Sequence, residues 1–184
     1  MDAFPQEKHY TYADYLTWDE KIRCELIDGV VYMLAAPAWE HQSVSGELYG
    51  QLWQFLKGKP CRVFSAPFDV RLNADGRDDT VVQPDLVVIC DRSKIKGTGC
   101  VGAPDMVVEI LSPSTAAKDK VRKFNKYWEA GVREYWLVNP DHKTATVHVL
   151  KNGEYTTREY EETDVVKVHV LDGCEIVLSD LFLE

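Results

Sequence analysis

The chain has no run of about 18 or more apolar residues, so no membrane-spanning helix is expected. Its first residues, MDAFPQEKHYTYADYL, lack a basic stretch followed by an apolar one, and no signal peptide is expected. Cysteine is sparse and scattered. Cys24, Cys61, Cys90, Cys100 and Cys174 are odd in number and contain no C-x-x-C pair, which argues against a disulfide framework and against a zinc knot. A reducing cytoplasm fits that usage. Positive charge is also short: 21 Lys and Arg stand against 30 Asp and Glu, a net charge of −9. That balance argues against a tight, general grip on nucleic acid through a broad basic surface. Phosphate chemistry would have to rest on a local basic strip or on metal ions. Repeats, low-complexity tracts and linkers are missing too, so the 184 residues read as a single domain, 1–184, large enough for a core without staples.

What is present is an ordinary globular composition, 45% hydrophobic and 28% charged. Thr11 can cap a short helix, TYADYLTW. CELIDGVVYML predicts a hairpin turning at Asp28-Gly29. Val44, Leu48, Leu52, Phe55 and Leu56 recur at helical spacing, which predicts an amphipathic helix over Trp39–Leu56, ended by Gly58 and Pro60. RVFSAPFDVRL, VVQPDLVVIC and DMVVEIL are strand candidates, the last two nearly continuous in apolar residues, as in central strands covered on both faces. A loop, DRSKIKGTGCVGAP, separates them. AAKDKVRKFNKYWEAGV predicts a helix starting near Ser114 or Thr115 and closed by Gly131. EYWLVNP follows as a strand, so strand, helix and strand form a right-handed parallel crossover. The tail predicts two hairpins, turning at Asn152-Gly153 and at Asp172-Gly173. The whole is an α/β chain with one mixed sheet flanked by helices.

One acid stands out. Glu109 sits inside the apolar run Met106–Leu111, where an ionised carboxylate is costly without a compensating partner. Asp105 shares its face but lies roughly 13 Å away at ~3.3 Å per residue, too far to share an ion. Asp85, opening the preceding strand in QPDLVV, is the natural partner, because adjacent strands lie about 4.8 Å apart. A carboxylate from each of two neighbouring strands can hold a hard divalent cation. On the following helix, Val121, Phe124, Tyr127 and Trp128 form the expected sheet-facing stripe. Lys120 and Lys123 lie near its margin and can swing an ammonium over the sheet end, whereas Lys126 points almost the opposite way.

The segments QPDL, GAPDMVVEILSPST and KVRKFNKYWEAGVREYWLVNP resemble the Uma-type restriction-endonuclease family of the PD-(D/E)XK nuclease superfamily. CELIDGVVYMLAAPAWEHQ matches its N-terminal pattern, and the resemblance spans roughly residues 10 to 183. It implies a restriction-endonuclease-like fold, with an N-terminal hairpin and a C-terminal antiparallel meander. Asp85 is then the Asp of the PD motif and Glu109 the first acid of E-x-K, both ligands of Mg²⁺ or Mn²⁺. The superfamily lysine is absent, since Leu111 stands two residues after Glu109. The resemblance places that lysine on the next helix, at Lys123, with Lys120 as the other candidate. Glu25 is a further acid near the site, and His41 and Gln42 hold the family's His-Gln position. The implied activity is Mg²⁺-dependent hydrolysis of DNA phosphodiesters without an organic cofactor, favoured by a homodimer where both strands are cut.

Plainer readings stand beside these. Glu109 can be a structural acid paired with a cation, Asp85 a turn residue after Pro84, Lys123 a solvated helix lysine, Glu25 a hairpin residue and His41 a local hydrogen-bonding group. Asp105 reads as an acid binding backbone N–H groups, and the five Trp as core. Ser112, Ser114 and Thr115 read as the start of a helix, because no His–acid pair marks a nucleophile. A nuclease-like module that binds nucleic acid or a protein without cutting is the main alternative function. A two-carboxylate glycosidase is a third, and no cleft of sugar-binding aromatics supports it.

Overall fold

A computed structural model describes residues 8–19, 21–73, 76–112 and 118–182, with side chains at 118–120 excepted. The predicted helix start at Ser114 or Thr115, and the side chain of Lys120, lie outside the described residues. The elements in order are α1 (Tyr12–Tyr15), β1 (Cys24–Ile27), β2 (Val30–Met33), α2 (Trp39–Leu56), β3 (Arg62–Ser65), β4 (Asp69–Arg71), β5 (Val81–Val82) and β6 (Leu86–Ile89). Then come β7 (Ile95–Lys96), β8 (Gly99–Val101), β9 (Met106–Ile110), α3 (Lys118–Ala130), β10 (Glu134–Asn139), β11 (Thr144–Lys151), β12 (Glu154–Glu161), β13 (Val165–Lys167) and β14 (Glu175–Val177).

Local chemistry accounts for most boundaries. Thr11 and Asp14 close a capping box on α1. Asp28 and Gly29, at φ 50° and 75°, form the two-residue turn of the β1–β2 hairpin. Asn152 and Gly153, at φ 52° and 86°, do the same between β11 and β12. Helix α2 buries Val44, Leu48, Leu52 and Leu56, one residue per turn on one face.

The expected single mixed sheet is two sheets. One has the order β2-β1-β5-β4-β8-β7 and the other β12-β11-β10-β9-β6-β3, while β13 and β14 pair separately. Two of the strand candidates change sheet midway. RVFSAPFDVRL breaks at Pro67 into β3 and β4, and VVQPDLVVIC breaks at Pro84 into β5 and β6. Proline cannot donate to a ladder, so a chain crossing it leaves one sheet and joins another. The predicted loop 91–104 contributes β7 and β8, which extend the first sheet beyond β4. The turn at Asp172-Gly173 is also longer than predicted. β13 and β14 are joined by residues 168–174, because Val168, Leu171 and Cys174 turn inward to the core.

The second sheet is covered on both faces. Met106, Val108, Ile110, Leu86, Val88, Trp136 and Val138 pack under α2 and the C-terminal segment. The alternate residues Val87, Ile89, Val107 and Tyr135 face Ile27, Val70, Val82 and Cys100 of the first sheet, with Tyr127 of α3 wedged among them. β9 and β10 are parallel and joined through α3, as the crossover predicts. Cys61 and Cys90 contradict the cysteine reading. They form a disulfide because antiparallel pairing of Arg62 with Ile89 sets them opposite each other, a proximity invisible at a sequence separation of 29. Among the described residues no helix is long and apolar enough to cross a membrane.

Candidate active site

Parity along the strands decides where the acids point. On β9, Val107 faces the gap between the sheets, so Glu109, two residues on, faces it as well. On β6, Val87 and Ile89 face the same gap, and Asp85 continues that series backward. Leu86 pairs with Val108 and Val87 with Val107, so one further step of the antiparallel register sets Asp85 opposite Glu109. Such cross-strand neighbours have Cβ atoms about 4.5–5.5 Å apart. The Ile110 N–H donates to Asp85 Oδ2 at 2.7 Å and fixes that carboxylate beside the β9 backbone. Pro84 matters here: it ends β5 and turns the chain so that Asp85 stands at the fork between the two sheets.

Glu25 comes from β1, in the other sheet, and is buried. Its Oε1 accepts the Gln83 N–H at 2.8 Å. Lys123 reaches in from α3 and closes the group. Its Nζ donates to Glu25 Oε1 at 2.7 Å and to Glu109 Oε1 at 3.0 Å, with only 12% of its side chain exposed. The inward face of α3 therefore matches the stripe read from spacing only in part, at Phe124 and Tyr127. Val121 is 65% exposed and Trp128 39% exposed, while Lys123 and Tyr127 point inward. Two buried acids attract the ammonium more strongly than an apolar wall attracts Val121. Lys126, expected in solvent, is tied to Asp28 and Glu129 at 2.8 and 2.9 Å.

Tyr127 was legible only as a core aromatic, yet its hydroxyl donates to Glu109 Oε1 at 2.6 Å. The signal that could have found it is its spacing of four from Lys123, which stacks the two side chains on one helix face. His41 Nε2 lies 3.1 Å from Asp85 Oδ2, and its Nδ1 is buried without a partner among the described residues. Gln42, the other half of the His-Gln position, is exposed and is not brought to the cavity that His41 lines. Asp105 takes the Cys90 N–H at 2.6 Å and an ion pair with Arg133, a local structural role.

Asp85, Glu109, Glu25, His41, Gln83 and Lys123 line one cavity of about 330 Å³. Its electrostatics are unbalanced. Burial pushes the Glu109 carboxyl up to about 7; Lys123 pulls it down, and Asp85 and Glu25 push it up again. Lys123 is held above its ordinary value: burial opposes its charge, but Glu109 and Glu25 outweigh that. The His41 imidazole is also raised, because the Asp85 hydrogen bond and charge exceed the opposing effect of burial. Glu25 and Glu109 thus share one ammonium, while Asp85 beside them is held by His41 and the Ile110 N–H.

A divalent cation fits that donor set. The second carboxylate oxygens of Asp85 and Glu109 accept no protein hydrogen bond among the described residues. No three His, Cys, Asp or Glu side chains close into a metal cage among those residues. Mg²⁺ is commonly held by one or two carboxylates, with water and substrate phosphate completing its shell, so an open pair of hard oxygen donors suits it.

Comparison with known proteins agrees with this architecture. The chain resembles a solved structure from Anabaena variabilis ATCC 29413, described as a "putative nuclease belonging to DUF820", with a TM-score of 0.76 at 23% identity over 94% of this chain and 97% of that one. At that identity the likeness shows the fold. An uncharacterised protein of Synechocystis sp. is 28% identical over 155 residues, covering 82% of this chain and 80% of that protein. The Uma2 family profile, described as "Putative restriction endonuclease", matches residues 12–179, and the chain belongs to that family.

Proposed function

We propose that the protein is a metal-dependent endonuclease that hydrolyses DNA phosphodiester bonds. The observation that carries this reading is Lys123, whose ammonium bridges Glu25 and Glu109 in the cavity that Asp85 also lines. A buried lysine among carboxylates from two sheets has little structural economy, because a buried ion pair is seldom more stabilising than apolar packing. Asp85 and Glu109 would hold Mg²⁺ or Mn²⁺ through their free oxygens. When bound, the ion supplies Lewis-acid polarisation of the phosphate and activation of water.

The protein's own groups do the rest. Lys123 has three N–H donors and spends two on Glu25 and Glu109, so the third can meet a phosphate oxygen as negative charge builds there. Glu25 holds the ammonium in place and is itself fixed by the Gln83 N–H. His41 and the Ile110 N–H both bind Asp85 Oδ2, which leaves Oδ1 without a protein donor among the described residues.

The test is nicking of supercoiled plasmid with Mg²⁺ or Mn²⁺, beside Asp85→Ala and Glu109→Ala. Nicking by the wild type that both substitutions abolish supports the reading; no nicking, or equal nicking by the variants, overturns it. The net charge of −9 favours a second reading, a nuclease-fold module that binds without cutting. Oligonucleotide binding without cleavage would select it.

A further inference from the structure

Between β2 and α2 the chain reads Met33-Leu34-Ala35-Ala36-Pro37-Ala38-Trp39, seven residues without a charged or hydrogen-bonding side chain apart from the indole N–H. Met33–Ala38 line the rim of the cavity that holds Asp85, Glu109 and Lys123. The run is not buried. Met33 is 61% exposed, Trp39 is 70% exposed, and Ala35, Ala36 and Ala38 are exposed as well. An uncovered apolar strip at the edge of a catalytic cavity marks a contact surface. Cations gather at the same mouth: Arg23 lines the cavity, and Arg122 stacks on the Tyr32 ring, another lining residue, at 4.6 Å.

We propose that this rim is a nucleobase platform, so that the site takes an unpaired DNA strand, with a base outside the cavity mouth resting on Trp39. The inference rests on the phosphodiester reading of the cavity and names its substrate class. Charge and shape favour it together. Duplex DNA hides its base faces and is gripped mainly through many Lys and Arg contacts to phosphate, which a chain of net charge −9 supplies poorly. An unpaired strand offers base faces that stack on aromatic side chains, with a few cations tracking its backbone. Arg23, Arg122 and the third N–H of Lys123 are few cations in one place. The cavity of about 330 Å³ is of a size that takes a single small ligand group such as one phosphate.

The experiment measures anisotropy of a dye-labelled DNA oligonucleotide, single-stranded or annealed to its complement, with Ca²⁺ in place of Mg²⁺. An RNA strand of the same sequence serves as a further arm. Wild type, Trp39→Ala and Trp39→Phe are compared, with thermal melting to confirm folding. The expected result is at least tenfold tighter binding of the single strand than of the duplex. Trp39→Ala should weaken single-strand binding by about tenfold, Trp39→Phe should weaken it little, and neither should change duplex binding. Equal affinity for both DNA forms, tighter binding of RNA than DNA, or indifference to Trp39→Ala overturns the proposal. So does a dimer that Trp39→Ala dissociates without affecting DNA binding, which would make the rim an interface between copies. Duplex cleavage that needs Glu109 but not Trp39 would overturn the platform and leave the nuclease reading intact. Trp39-dependent binding without cleavage in Mg²⁺ or Mn²⁺ would sustain the platform and sink hydrolysis. Absence of binding to any oligonucleotide removes both.

Discussion

Replacing Lys123 by Met tests whether the ammonium holds the site together. Met keeps most of the aliphatic stem and removes two charge-assisted hydrogen bonds, to Glu25 at 2.7 Å and to Glu109 at 3.0 Å. The side chains of the three partners are 12%, 3% and 13% exposed, so solvent screens the loss weakly. Removing one member of a buried pair costs about 3–5 kcal/mol, because the remaining charge is left uncompensated. Here the lower end applies, since Glu109, with its carboxyl already pushed up to about 7, can take up a proton in place of the lost cation. The expected loss is therefore roughly 3 kcal/mol at neutral pH in EDTA, read by urea denaturation. Lys126→Met is the control. Its partners Asp28 and Glu129 are 48% and 52% exposed, and ~0–1 kcal/mol is expected. A second reading comes from metal. If Mg²⁺ or Mn²⁺ and Lys123 compensate the same carboxylates, added ion should stabilise Lys123→Met more than the wild type, by preferential binding to the folded state. Should Lys123→Met cost no more than Lys126→Met, and gain nothing extra from metal, the account of the site as acids sharing one cation is wrong.

Three other perturbations follow from the same contacts. Tyr127→Phe deletes the donor to Glu109 Oε1 and leaves Lys123 alone to orient it, so kcat for plasmid nicking should fall about tenfold or more while the fold persists; an unchanged rate would deny Tyr127 a positioning role. His148 sits among Phe124, Tyr135, Tyr155 and Thr157, none of them charged, and burial pushes its imidazole down to about 4. The unfolded chain then binds the proton more readily, stability falls as pH drops from 6.5 toward 4, and by pH 5 the loss is roughly 2 kcal/mol; denaturation of His148→Phe over the same range should show this component gone. Gly99→Ala would drive a Cβ into the Asp69 carbonyl oxygen across β4 and β8, and overpacking of that kind should cost ~1–3 kcal/mol in thermal melts.

How far the sequence could be read depended on whether each signal was local. The Asp28-Gly29 and Asn152-Gly153 turns, the Thr11 cap and the four-residue spacing on α2 depend on neighbours in the chain, and each was visible there. Alternation also carried: the strand parity that sends Glu109 sideways to Asp85 needs only the β6–β9 pairing. The failures are non-local. Pro67 and Pro84 lie inside apolar runs that read as single strands, although each is the point where the chain passes from one sheet to the other. Apolar content alone places Tyr127 and Phe124 correctly on the inner face of α3, but it hides the Tyr127 hydroxyl's bond to Glu109 and misplaces Val121. The Cys61–Cys90 bond depends on a cross-strand register that spacing does not reveal.

These misses share a cause that bears on the site itself. Splitting one apolar run across two sheets at Pro84 leaves Asp85 at a fork, where backbone pairing ends and a carboxylate can stand free of the ladder. The same fork brings β1, from the other sheet, close enough for Glu25 to meet Lys123. A single continuous sheet, as the apolar runs suggested, would have left Glu25 on a separate hairpin and Lys123 with only one acid. The proline that looked like an interruption of a strand is thus the residue that brings acids of two sheets into one cavity, and a one-residue slip of β6 against β9 would turn Asp85 away from Glu109 and dismantle the group.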